Sequence, residues 1–168
     1  LINNSSTNFA TQSLEYYTYH RDWAGTYARA YSNSSHSNSD PLPYNSLFPN
    51  YCPNDCQNFA SQCIWYGFGG TNNSTYINNK EIPMVSSDDR AWYQSGTKYD
   101  NSNTWTAVIN FANYISSSSY LTQGPMGVIY TNDLSCVDVG DTIQITNGTR
   151  YYHTYVVSAV TGTLGART

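Results

Sequence analysis

Charge is scarce in this chain. Lysine and arginine together number 7 against 11 aspartates and glutamates in 168 residues, for a net charge of −4. That balance offers no basic field for a phosphate backbone or an anionic bilayer surface, so no nucleic acid and no membrane partner is expected. Long apolar runs are missing as well: no stretch approaches the roughly 18–20 apolar residues that span a bilayer. Histidine occupies 3 positions and cysteine 4. Cys52 and Cys56 stand close together, but no Cys/His pair elsewhere completes a zinc-ligand pattern, so no metal is expected. Repeats are absent, and the length suits one catalytic domain over residues 1–168, with a real core and little room for a second.

Aromatic residues are plentiful instead, with 17 Tyr and 4 Trp. Aromatic, Asn- and Ser-rich surfaces suit glycan or peptide grooves, where ring faces stack and amides supply hydrogen bonds. The same composition also fits the half-buried packing residues of an exported protein. A secreted or cell-wall-associated monomer is the expectation.

The stretch Asp55-Cys56-Gln57-Asn58-Phe59-Ala60-Ser61-Gln62-Cys63 decides the functional reading. Turn formers precede it in Pro49-Asn50-Tyr51-Cys52-Pro53-Asn54, and Asp55 is a plausible N-cap. Phe59, Ala60, Cys63, Ile64 and Tyr66 then follow a helical spacing. Cys56 therefore falls in a first helical turn, where unpaired backbone N–H groups and the positive end of the helix dipole favour a thiolate. It is the candidate nucleophile. Cys63, two turns on, reads as a packing residue, which leaves Cys52 and Cys136 as the pair open to a disulfide in an oxidising compartment.

A nucleophile needs a base, and the contexts of the three histidines separate them. His36 sits in the polar run Asn33-Ser34-Ser35-His36-Ser37-Asn38-Ser39, and His20 in an expected helix. His153 stands near the start of Tyr152-His153-Thr154-Tyr155-Val156-Val157, the return strand of a hairpin whose first strand is Asp141-Thr142-Ile143-Gln144-Ile145. A strand histidine facing a helix that carries a cysteine is the layout of thiol hydrolases.

Four segments, taken together, resemble the putative amidase domain family, a papain-like group related in architecture to the NlpC/P60 and CHAP peptidoglycan hydrolases of Gram-positive bacteria. They are Tyr19-His20-Arg21-Asp22-Trp23-Ala24-Gly25-Thr26-Tyr27-Ala28; the Asp55–Cys63 stretch; Ala91-Trp92-Tyr93 with Thr104-Trp105-Thr106-Ala107-Val108-Ile109-Asn110-Phe111; and Val139-Gly140-Asp141-Thr142-Ile143-Gln144 with His153-Thr154-Tyr155-Val156-Val157. The resemblance implies Cys56 as nucleophile and His153 as base of a thioester mechanism that needs no cofactor, acting on an amide of peptidoglycan or another peptide substrate. Papain-like enzymes often place an oxyanion amide six residues before the cysteine, which is Asn50 here; Asn54 is nearer and also a candidate. Trp92 and Tyr93 are candidates for the wall of the substrate cleft. A third polar residue on the strand after His153 is missing, since residues 154–168 contain no Asp, Glu, Asn, Gln or His. A backbone carbonyl, Ser158, Thr161 or Asp141 then remains to orient the imidazole. Transpeptidation or deamidation on the same site, and a catalytically silent wall- or glycan-binding module, are the competing readings.

The expected elements are helices over about residues 11–31, 56–66 and 106–115, and strands over 126–130, 141–145 and 152–159, with a short one near Leu164. Helices first and an antiparallel sheet last give an α+β fold, with the nucleophile at a helix N-terminus packed against the sheet.

Overall fold

In a computed structural model of the chain, the structure describes residues 18–32, 45–70, 92–96, 100–116, 125–131 and 133–162. Among these, four helices and one two-stranded antiparallel sheet make a small α+β fold. The helices are α1 (Arg21–Tyr31), α2 (Cys56–Gly67), α3 (Asn103–Thr106) and α4 (Val108–Ser116); the strands are β1 (Thr142–Thr146) and β2 (Tyr151–Val156). The expected first-helix residues before Thr18, His36, and the strand near Leu164 lie outside the described residues.

Helix α1 starts later than its spacing predicts. His20 is not helical but occupies the N-cap position, stacked on Trp23 with ring centroids 3.9 Å apart. Asp22 in the first turn and Arg29 in the last complement the helix dipole. The buried face is Ala24, Gly25, Tyr27 and Ala28, while Trp23 and Ala30 are exposed. Helix α2 is buried along nearly all its length. It ends as Gly69 turns to φ 94°, a conformation open to glycine at little cost, while the N–H groups of Phe68 and Gly70 return to carbonyls of the last turn.

The helix expected at residues 106–115 is α4, which starts two residues later at Val108, and the short α3 precedes it as a separate element. Ala107 is extended (φ −114°, ψ 125°), and Ser102 caps α3 by accepting from the Trp105 N–H. Residues 126–130 form no strand. They are exposed, and no ladder partner lies beside them among the described residues; β-branched and aromatic residues favour a strand only where a neighbour completes the hydrogen bonds.

Strands β1 and β2 pair from Thr142 opposite Val156 to Ile145 opposite His153, with a bulge between Ile145 and Thr146. The bulge sits beside His153, the kind of place where an extra residue re-aims a side chain. Helix α1 holds the base of this hairpin. The Tyr19 hydroxyl donates to the Gly140 carbonyl at 2.6 Å, Arg21 pairs with Asp141, and Arg29 donates to the Ser158 carbonyl. Gly140, at φ 85°, lies so close to α1 that a Cβ there would stand 2.8 Å from the Arg21 carbonyl oxygen. Only glycine fits that approach.

The core gathers Phe48, Ile64, Trp65, Trp92, Trp105, Phe111 and Tyr114 on one side of α2, and Tyr27, Ala28 and Cys63 on the other. Polar residues of α2 reach into it. Ser61 accepts from Trp92 Nε1 and Gln57 Nε2 and donates to the Trp105 carbonyl, using all three of its valences. Asn58 accepts from Trp105 Nε1 at 2.8 Å and donates to the Pro49 carbonyl and to Asp55 Oδ1.

Leaving a buried donor unpaired costs about 1–3 kcal/mol. Asn58→Leu strands the indole N–H of Trp105 and frees the loop held at Pro49, and is expected to lower unfolding free energy by at least that amount in urea titrations. The same substitution in a Trp105→Phe background, which has no N–H to strand, is expected to cost measurably less.

Candidate active site

Cys56 is the first residue of α2, and the loop that delivers it is bonded at every turn. Asn50 Oδ1 accepts from the Cys52 N–H at 2.7 Å, the Asn54 N–H returns to the Tyr51 carbonyl, and Asp55 Oδ1 accepts from the Tyr51 N–H at 2.8 Å. The Tyr51 hydroxyl accepts in turn from Gln94 and Asn101, which fastens the loop to the segment before α3. Asp55 stands at the N-cap position as expected, but its carboxylate faces back into the loop and makes no cap bond.

The opposite wall is β2, joined to α2 one residue along from the candidate pair. Thr154 Oγ1 donates to Gln57 Oε1 at 2.8 Å, and Gln144, its cross-strand neighbour, donates more weakly to the same oxygen. Gln57 follows Cys56 and Thr154 follows His153. Both members of the candidate pair are half-buried and line one cavity of about 360 Å³, together with Asn50, Asp55, Gln62 and the rings of Phe48 and Phe59. The His153 ring packs edge-on against Tyr155 at 4.3 Å, and no hydrogen bond joins it to Cys56 Sγ. Apo geometry in such pairs is commonly loose.

The remaining expectations divide. Asn50 lines the cavity, and its Oδ1 is taken by the Cys52 N–H. Asn54 is exposed and lies outside the cavity lining. Trp92 does not wall a cleft: it is 0% exposed, packed on Trp105 with centroids 4.6 Å apart, and its N–H is spent on Ser61. Tyr93 is half-buried against the same core and also lies off the cavity. An aromatic pair in a turn-rich segment reads as exposed; the Trp105 and Ser61 that bury Trp92 are distant in sequence. Truncation, Trp92→Ala, is accordingly expected to cost roughly 3–5 kcal/mol in a urea titration.

Asp141 is bonded to Arg21 and to the Asp138 N–H, so its carboxylate is engaged at the hairpin base rather than at His153. Cys63 is wholly buried, and burial pushes its thiol well above the usual range, in keeping with a packing role. Cys52 and Cys136 are both free and exposed, and no disulfide joins them. Sequence reasoning passes over Gln57, Asn58, Ser61 and Gln62, which look like the solvent face of a helix. The signal available is that α2 carries no charged residue at all.

Burial raises the Asp55 carboxyl above its ordinary 3.8, and the hydrogen bonds from Tyr51 and Asn58 offset only part of that. The folded protein therefore holds the proton more tightly than the unfolded chain does. Its contribution to stability is full below the ordinary carboxylate range and is lost as pH rises through the raised value. Asp55→Asn keeps the acceptor oxygen without the charge. Urea midpoints of the two proteins are expected to agree at acid pH and to separate in favour of Asp55→Asn toward neutrality; a gap that narrows with rising pH would contradict the burial argument.

Comparison with known families places residues 18–164 within the model described as Putative amidase domain. Comparisons with curated proteins and with solved structures found no match.

Proposed function

Because the chain belongs to the Putative amidase domain family over residues 18–164, we propose that it is a cysteine amidase in which Cys56 attacks an amide carbonyl. One observation carries this reading: Cys56, at the N-terminus of α2, and His153, on β2, face the same cavity from two elements bonded together by their neighbours Gln57 and Thr154. His153 accepts the thiol proton as the sulfur attacks and returns it to the departing amine, leaving a thioester that water hydrolyses. The backbone N–H of Cys56 and Asn50 Nδ2 stabilise the oxyanion. No third side chain is required to orient the ring for this chemistry, since a thiol is more readily ionised than a hydroxyl.

A helix that begins at Cys56 against an antiparallel hairpin supports a papain-like fold as part of this reading. The substrate proposed is an amide of cell-wall peptidoglycan, which places the protein outside the cytoplasm. An apolar, amide-edged cavity with no Lys or Arg in its lining supports a neutral peptide or glycopeptide over a polyanion. No described helix is long and apolar enough to cross a membrane. Transpeptidation and deamidation would use the same Cys56 and His153 and differ in the acceptor that takes the acyl group from the thioester.

Purified walls digested with the protein and resolved by mass spectrometry of the released muropeptides test the reading and identify the bond. Cys56→Ala is expected to abolish release with the melting temperature nearly unchanged. His153→Ala is expected to remove turnover and to slow iodoacetamide labelling of Cys56 near neutral pH, whereas His20→Ala does neither. Wall digestion by Cys56→Ala would remove the nucleophile assignment.

A further inference from the structure

Gln62 is 5% exposed, yet it lines the cavity that Cys56 and His153 face. Its amide is held in one orientation by a chain of hydrogen bonds whose polarity can be traced from a fixed end. The Leu47 backbone N–H can only donate, and it donates to Asn45 Oδ1 at 3.0 Å. That leaves Asn45 Nδ2 to donate to the Tyr27 hydroxyl oxygen, also at 3.0 Å. Tyr27 is buried, and burial raises its hydroxyl far above the usual range, so the phenol keeps its single proton. That proton goes to Gln62 Oε1 at 2.7 Å. With Oε1 engaged, the amide's other end, Nε2, makes no hydrogen bond among the described residues. It is also not a sealed, unsatisfied atom, since the only such buried side-chain atom among them is Trp65 Nε1. Nε2 is thus an unspent donor on a residue that lines the cavity, and successive bonds running the same way strengthen it.

We infer that Gln62 is a specificity-determining residue: its Nε2 donates to the uncharged carbonyl of an amide or acetamido group on an acyl substrate seated in this cavity. This rests on the cysteine amidase reading above. Two features select an uncharged acceptor over a carboxylate. The lining includes Asp55 and no Lys or Arg, so an anion seated at Gln62 would meet a like charge with no Lys or Arg to offset it. The apolar walls, Phe48 and Phe59 among them, strip water from whatever enters. An acyl group lacking the carbonyl would leave Nε2 dry and unpaired, and that asymmetry makes a buried hydrogen-bonding site selective. Along the α2 axis Gln62 lies six residues, or roughly 9 Å, beyond Cys56. The acceptor therefore belongs to a group about two to three extended residues' length from the scissile carbonyl, at about 3.3–3.6 Å per residue.

The test uses three alkylating probes of matched length: acetylglycyl-alanyl, pentanoyl-alanyl and glutaryl-alanyl chloromethyl ketone. They carry an acetamido, a propyl and a carboxylate-bearing end respectively. Labelling of Cys56 is monitored by intact mass, with each rate divided by that of iodoacetamide on the same protein. The acetylglycyl probe is expected to react about tenfold or more faster than either of the others, as a gained hydrogen bond of roughly 1.4 kcal/mol implies. Gln62→Met, which keeps the length and loses the donor, is expected to reduce the preference to within about threefold. Tyr27→Phe keeps the ring and releases the Gln62 amide from its fixed orientation, and is expected to blunt the preference as well; it decides the matter should Gln62→Met not fold.

Equal rates for the three probes, a glutaryl probe faster than the acetylglycyl one, or failure of all three while iodoacetamide still labels Cys56, would each overturn the inference and leave the nucleophile standing. A preference that survives both substitutions overturns it too. Absence of labelling by iodoacetamide itself would instead overturn the amidase reading.

Discussion

The hydrogen bond from Thr154 Oγ1 to Gln57 Oε1 is the join on which the cavity depends. It is buried, it crosses from strand to helix, and its two residues are the immediate chain neighbours of His153 and Cys56. A hairpin of two strands is marginal by itself. Here it becomes a wall of the site because its middle is bonded to α2 through Gln57 and its base is held by α1 through Tyr19, Arg21 and Arg29. The two attachments differ in kind. The Arg21–Asp141 pair is exposed, so it contributes little, of the order of 0–1 kcal/mol. Gln57 and Thr154 are both buried, so breaking their bond leaves polar atoms short of partners away from water. Geometry at the cavity is thus set chiefly by uncharged hydrogen bonds inside the protein.

The same logic governs the loop before Cys56. Asn58 sits three residues into the helix beyond Asp55 and bonds both to Asp55 and to the Pro49 carbonyl, so the helix holds its own approach loop in place. Through Trp105 Nε1, Asn58 also anchors α3. Asn50, between those fixed points, has its side-chain oxygen engaged by the Cys52 N–H. The stretch that reads as a nucleophile motif is therefore also a structural one. Its cysteine faces the cavity, while Gln57 bonds β2 and both Asn58 and Ser61 bond Trp105 on α3.

That division sets how much of the molecule is legible in the chain. Cys56 at a helix start and His153 on a hairpin strand can be read because turn formers, helical spacing and strand alternation are local signals. Helix α2 and both strands fall within a residue or so of their expected places, save for the C-terminal end of β2. The roles of Gln57, Asn58 and Ser61 are not legible, since a polar side chain on a helix ordinarily faces water, and their partners on β2 and α3, Thr154 and Trp105, stand 44 to 97 positions away. Trp92 reads as a cleft residue for the same reason. Residues 126–130 have strand composition without a strand, because ladder pairing depends on what lies alongside. The break at Ala107 hangs on the local competition between the Ser102 cap and helix propagation, which apolar spacing does not report.

Two thiols on one helix show what position does to chemistry. Cys63 and Cys56 lie on one helix, two turns apart, one in its interior and the other at its first position. Cys63 is packed among Tyr27, Ala28 and Phe59 with no exposure, and burial alone keeps it a neutral thiol, which neither attacks a carbonyl nor takes an alkylating reagent readily. Cys56 stands where the helix has N–H groups to spare and the cavity opens. What separates a packing sulfur from a nucleophile is therefore the loop that begins α2 at Cys56 rather than a turn earlier. That loop stays where it is because buried amides, Asn58 foremost, have bonded it there.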